Sequence, residues 1–165
     1  MRAVLAAALL LAGCGKAGAP QAKATPAPDL ESAAIAAGVI ADPNRTDISG
    51  LFARDTDRVC IVPATLDFRI GVFVDYGDQQ GCSGSGTVTR VGESLRIVFE
   101  KAKGCTIDAR FEGDRIVFPG RLPSACEALC TRRASLAALD VRRLSDSIAE
   151  ASALRNARGQ PLCGP

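Results

Sequence analysis

Between Ile48 and Gly120 apolar and polar residues alternate with a period of two, and turn residues break the alternation about every eight to twelve positions. Each such segment can bury only one face, so it has to pair with its neighbours in the chain. From Leu66 to Tyr76, Phe68, Ile70, Val72, Val74 and Tyr76 share one face, with Asp67, Arg69, Gly71, Phe73 and Asp75 on the other. The turn Gly77-Asp78-Gln79-Gln80-Gly81 leads into a glycine-spaced strand at Cys82, Gly92-Glu93-Ser94 into Leu95, Ile97 and Phe99, and Lys103-Gly104 into Cys105, Ile107, Ala109 and Phe111. Gly113-Asp114 then opens Arg115 to Phe118. With Leu51 to Arg54 and Arg58 to Val62, the pattern predicts an antiparallel meander of six or seven strands. The fold class is mainly β: a strongly coiled sheet or small barrel. Gly84 and Gly86 fall on the face of Cys82 and Val88, a gap that marks a tight sheet bend or a site where another chain approaches.

Short helices are expected at both ends, which makes the chain α+β by element count. Pro28-Asp29 opens a stretch from Leu30 to Ile40 with Leu30, Ala33, Ala34 and Ala37 on one face and Gly38 as its stop; it is expected to pack on the domain that follows. Beyond Pro119 and Pro123, Ser124 is positioned to cap a turn from Ala125 to Cys130. The stretch 136–144 reads equally as a helix or a returning strand. Ser147 and Glu150 form a capping box for a helix reaching about Ala157 and ending at Gly159. At 165 residues there is room for one core, and residues 29–165 read as a single domain without internal repeats.

The chain has no histidine, which removes Ser-His-Asp and Cys-His nucleophiles, histidine bases and histidine-containing zinc or haem sites. It has 7 cysteines. Setting Cys14 aside leaves Cys60, Cys82, Cys105, Cys126, Cys130 and Cys163, an even set that reads as three disulfides of an exported domain. Connectivity does not follow from spacing. The expected elements favour Cys60 with Cys82, Cys105 with Cys126, and Cys130 with Cys163. A rival reading takes Cys126-x3-Cys130 as a thiol pair on one helix face, but redox pairs usually show Cys-x-x-Cys and a zinc site would need four thiolates. No metal site is expected.

Met1-Arg2 precedes an apolar run from Ala3 to Ala12, the length of a secretory leader and too short to span a bilayer. The run ends in Leu11-Ala12-Gly13-Cys14, which resembles the lipobox of bacterial lipoproteins. The resemblance implies a signal peptide at 1–13 and a Cys14 that carries diacylglycerol and an N-acyl chain, an anchor of several acyl chains. Gly15, in place of aspartate, implies sorting to the outer membrane, on its periplasmic face. Residues 14–28, rich in alanine, proline and glycine, read as a lipidated cysteine and a disordered tether, roughly 45 Å long when extended. Loss of Arg2 with the leader changes 20 basic and 18 acidic residues to 19 and 18, a net +1. That near-neutrality argues against a nucleic-acid partner.

Asp75-Tyr76-Gly77-Asp78 could hold a cation or pair carboxylates for glycoside hydrolysis, yet Asp and Gly are also ordinary turn residues. Asp108, Arg110 and Glu112 alternate as a solvated sheet face does. Arg132-Arg133 and Arg142-Arg143, with Arg121, either form a patch for phosphate or carboxylate groups or are exposed ends of elements. Ser83-Gly84-Ser85-Gly86 and Phe99-Glu100-Lys101-Ala102-Lys103-Gly104 resemble two motifs of the small β-barrel lipoproteins that inhibit C-type lysozyme. That resemblance implies Ser83, Ser85, Lys101 and Lys103 as contact residues; Val88 and Glu100 stand where the family carries aromatic residues. With no nucleophile and base visible together, no catalytic residue is expected, and no cofactor beyond the lipid on Cys14. The chain reads as a membrane-anchored envelope lipoprotein with a non-catalytic binding or structural domain, its partners being the membrane and an envelope protein or cell-wall polymer. The alternatives are an inhibitor of a lysozyme or protease and, third, a carboxylate-based hydrolase.

Overall fold

The computed structural model describes residues 29–37, 39–40, 42 and 47–164; the leader, Cys14 and the tether lie outside the described residues. The alternating segments become β1 (Gly50–Arg54), β2 (Asp57–Pro63), β3 (Phe68–Asp75), β4 (Gly81–Val91), β5 (Ser94–Phe99), β6 (Thr106–Phe111) and β7 (Arg115–Val117). An eighth strand, β8 (Asp140–Ser145), resolves the ambiguous stretch. Val141 pairs with Ile116 of β7, and Arg142 and Arg143 pair with Ala53 and Phe52 of β1. The meander thereby closes into an eight-stranded antiparallel barrel. Closure satisfies the backbone groups that an open sheet would leave bare on two edge strands.

Inward positions carry Phe52, Val59, Ile61, Ile70, Val72, Val88, Leu95, Ile97, Ile107, Phe111, Ile116 and Val141, all buried. Eight strands enclose just enough space for such side chains to fill. The crossover from β7 to β8 plugs one end. There a 3-10 helix, Ser124–Leu129, and Phe118, Leu136 and Leu139 join the same core as Phe99 and Ala102. Pro123 starts this helix and no side chain caps it, so Ser124 is not the expected cap. Gly84 faces this plug: a Cβ there would lie 2.9 Å from the Phe99 ring and 3.0 Å from Leu129. What closes on the glycine gap at Gly84 is the barrel's own ring and plug, where the sequence suggested a sheet bend or another chain.

The other end is closed by guanidinium groups. Arg143 lies over the Phe52 ring at 4.6 Å and Arg90 over Phe111 at 4.9 Å, while Arg143 also donates to the carbonyls of Ser49 and Asp47. An arginine suits this place because its flat cation stacks on rings while its N–H groups satisfy loop carbonyls.

A second cluster sits outside the barrel. Helix α2 (Ile148–Ala153) starts at Ser147, whose Oγ accepts the Glu150 N–H at 3.3 Å. It stops at Ala153, short of the predicted Ala157, because the chain doubles back. Leu162 donates its N–H to Leu154, and the Asn156 carboxamide oxygen accepts from Arg158 and Gln160. This C-terminal hook lays Leu162 and Cys163 over β2 and β3, burying Cys60, Val62 and Ala151 with them. The N-terminal helix α1 (Leu30–Ala36) forms behind its Asp29 cap, as the sequence predicts, but buries none of its residues; the expected packing on the barrel is not made.

The three disulfides are Cys60–Cys163, Cys82–Cys130 and Cys105–Cys126. Only the last matches the expected pairing. Cys82 does not join Cys60 because both lie in strands separated by β3, and on β3 it is Val74 that stands opposite Cys82 while Gly71 stands opposite Cys60. Cys130, just past the 3-10 helix, forms a bridge with Cys82, and the hook brings Cys163 to Cys60. The Cys126/Cys130 thiol pair is likewise excluded, each sulfur being bonded to a different part of the barrel. Three disulfides are consistent with an oxidising, extracytoplasmic compartment.

Candidate binding groove

The strand β4 alternates so that Cys82, Gly84, Gly86 and Val88 face inward, leaving Ser83 and Ser85 half-buried on the outer surface. At that surface the hook stands on one side and residues 128–131 on the other. Between them lies a groove of about 590 Å³. Its floor is Phe73, Ser83 and Ser85; its walls include Pro161 and Leu162 of the hook and Ala128 and Thr131 opposite.

Both walls are fixed to the floor. Leu162 fits over Gly71, where a Cβ would come within 2.5 Å of the Leu162 Cβ and 2.8 Å of the Cys60 Sγ. Only a residue without a side chain admits the hook this closely. On the far side the Thr131 N–H donates to the Gly81 carbonyl at 2.9 Å, and its hydroxyl accepts from the Gly81 N–H at 3.1 Å. Cys60–Cys163 and Cys82–Cys130 add a covalent clasp to each wall.

The groove has a polarity. Asp75 stands opposite Gly81 at one end of the β4 segment, and Glu100 donates its N–H to Ser85 at the other, bringing Lys101 there. Several arginines elsewhere on the barrel surface are paired with carboxylates. Arg115 holds Asp140 through two hydrogen bonds of 2.7 and 2.6 Å, Arg96 pairs with Asp108, Arg110 with Glu112 and Arg142 with Asp114. The Arg115 guanidinium keeps the Asp140 carboxyl below the usual carboxylate range, and Arg96 does the same for Asp108. In the groove the reverse holds. Among the described residues, neither Lys101, Arg158, Gln79 and Gln80 nor the two serine hydroxyls engage a side-chain hydrogen bond or ion pair.

Ser83, Ser85 and Lys101, singled out in the sequence, are thus brought together, whereas Lys103 is exposed and outside the lining. The arginine pairs do not gather: Arg143 is inside the barrel mouth and Arg142 is committed to Asp114. Asp75-Tyr76-Gly77-Asp78 is a turn, with the Asp75 carboxylate accepting the Gly77 N–H at 2.9 Å and Tyr76 donating to the Ser135 carbonyl. Among the described residues no group of three or more His, Cys, Asp or Glu side chains could hold a metal ion. The hook residues Arg158, Gln160, Pro161 and Leu162 were not marked by the sequence. They form part of a site only because a disulfide more than a hundred positions long folds the tail back.

No protein-family model, no curated protein and no solved structure matches the chain.

Proposed function

We propose that this chain is an exported lipoprotein, anchored through acylated Cys14 at the periplasmic face of a bacterial outer membrane, whose barrel holds a partner in the groove without catalysing a reaction. The observation that carries the binding half is the set of unengaged hydroxyl, amide and cationic groups lining one concavity whose two walls are clasped to its floor by disulfides. Half-buried polar groups normally find partners, and the side chains of Gln80, Ser83 and Ser85, half-buried in a concavity without one, are suited to a ligand, with the exposed Lys101 and Arg158 beside them. The lipobox-like residues support the anchor. Two experiments test the reading. Cys14→Ser should abolish acylation and release the protein from the membrane fraction; unchanged fractionation refutes the anchor. Ser83→Trp fills the groove floor and should remove a partner retained by the native protein from envelope extract, while Thr87→Trp on the same strand should not.

Inhibition of a lysozyme or protease is a second reading, favoured by the assembly of Ser83, Ser85 and Lys101. The concave shape weighs against it, since an inhibitor that enters an enzyme cleft has to present a protrusion. Loss of activity in a panel of lysozymes and proteases at stoichiometric concentrations of the native protein would overturn that judgement.

A further inference from the structure

Building on the groove as a binding site, we infer that its ligand is a short extended peptide segment ending in a free carboxylate, which meets Lys101 and Arg158. Three features of the lining carry this. Ser83 and Ser85 are two positions apart on one strand face, so their hydroxyls repeat at roughly 7 Å, the interval at which an extended peptide presents equivalent backbone groups. The stretch Gly81 to Ser85 is about 13 Å long, the reach of about four extended residues. Phe73 in the floor and Ala157 and Pro161 in the wall offer apolar surface to alternate side chains.

Charge selects the terminus. Two lysine or arginine groups without a counter-charge line the groove, against one carboxylate, Asp75, at the opposite end from Lys101. Cations without a counter-charge beside a row of hydroxyls, with the one carboxylate at the far end from Lys101, favour a compact anion at one end of an otherwise neutral ligand. A polyanion such as a phosphate-linked polymer would meet Asp75 and lack cations along its repeat. A glycan would find Phe73 as the sole aromatic ring in the lining, where sugar faces are usually held by stacking.

The experiment uses the full-length protein in detergent, with N-acetyl-tetraalanine, its C-terminal amide and chitotetraose as probes, followed by calorimetry and by amide chemical shifts at Ser83 and Ser85. The acid is expected to shift those two amides, and the amide to bind about tenfold more weakly, the size expected from a lost charge-assisted contact. Lys101→Gln with Arg158→Gln should bring acid and amide to equal affinity; Lys103→Gln should change neither. Equal binding of acid and amide by the native protein, or no shift from either peptide, overturns the inference. Shifts at Ser83 and Ser85 from chitotetraose alone would overturn it while leaving the groove as a binding site. Retention of the envelope partner by the Ser83→Trp variant would instead remove the groove reading itself.

Discussion

Gly71 shows how much one position decides. The sequence places it on the outward face of a strand, between Arg69 and Phe73, where an exposed glycine is merely a poor strand former. In the fold it is the notch that admits Leu162 and the Cys60–Cys163 bond. Gly71→Ala is expected to destabilise the protein by about 1–3 kcal/mol, the usual cost of inserting atoms into a packed site, measurable by denaturant unfolding. Two aspartates respond to acid in opposite senses. Asp140 has its folded pKa lowered by Arg115, so its ion pair stabilises the protein above the ordinary carboxylate range and that contribution is lost as pH falls through the depressed value. Burial raises the pKa of Asp57 in spite of nearby Arg54, so the ionised form is penalised at neutral pH. Asp140→Asn should therefore be less stable than the native protein at pH 7 and nearly equal to it well below pH 4, whereas Asp57→Asn should be more stable at pH 7 and lose that advantage in acid. Urea midpoints across this range check both signs.

Strands β1 to β7 were legible as elements because their interior filling imposes alternation directly on the letters, as in β6, where Ile107, Ala109 and Phe111 are buried and Asp108 and Arg110 exposed. β8 was not, because Arg143 occupies an inward position and breaks the apolar period; its cation is tolerated by stacking on Phe52, a partner far away in sequence. The groove was half legible. Its floor lies on one alternating strand, but its walls are irregular loops held by bonds between distant cysteines. None of the three disulfides joins adjacent strands; two of them clasp the walls. Replacing Cys60 and Cys163 with serine is expected to cost roughly 3–5 kcal/mol, as a loop of that length suggests, and to expose the hook. Limited proteolysis should then cut within 155–160 while the barrel survives. With Cys82 and Cys130 replaced as well, amide exchange should become fast at 128–131 and 155–162 and stay slow in β5 and β6.

At the scale of the molecule, the seam between β1 and β8 joins strands about ninety residues apart, the widest separation of the barrel's strand pairings. A chain ending at Ala138 would lack β8 and leave β1 and β7 as bare edges; it is expected to aggregate in place of yielding a monomer, as size-exclusion chromatography would show. The order of the meander has one more result. β1 begins at Gly50, beside Ser145 and on the same rim as the Gly92 hairpin, whereas Asp75, Gly81 and Lys101 lie on the opposite rim. The strand that begins the barrel and the groove therefore sit at different rims, so that a change in the loops beside Gly50, Gly92 or Ser145 leaves the groove's lining untouched.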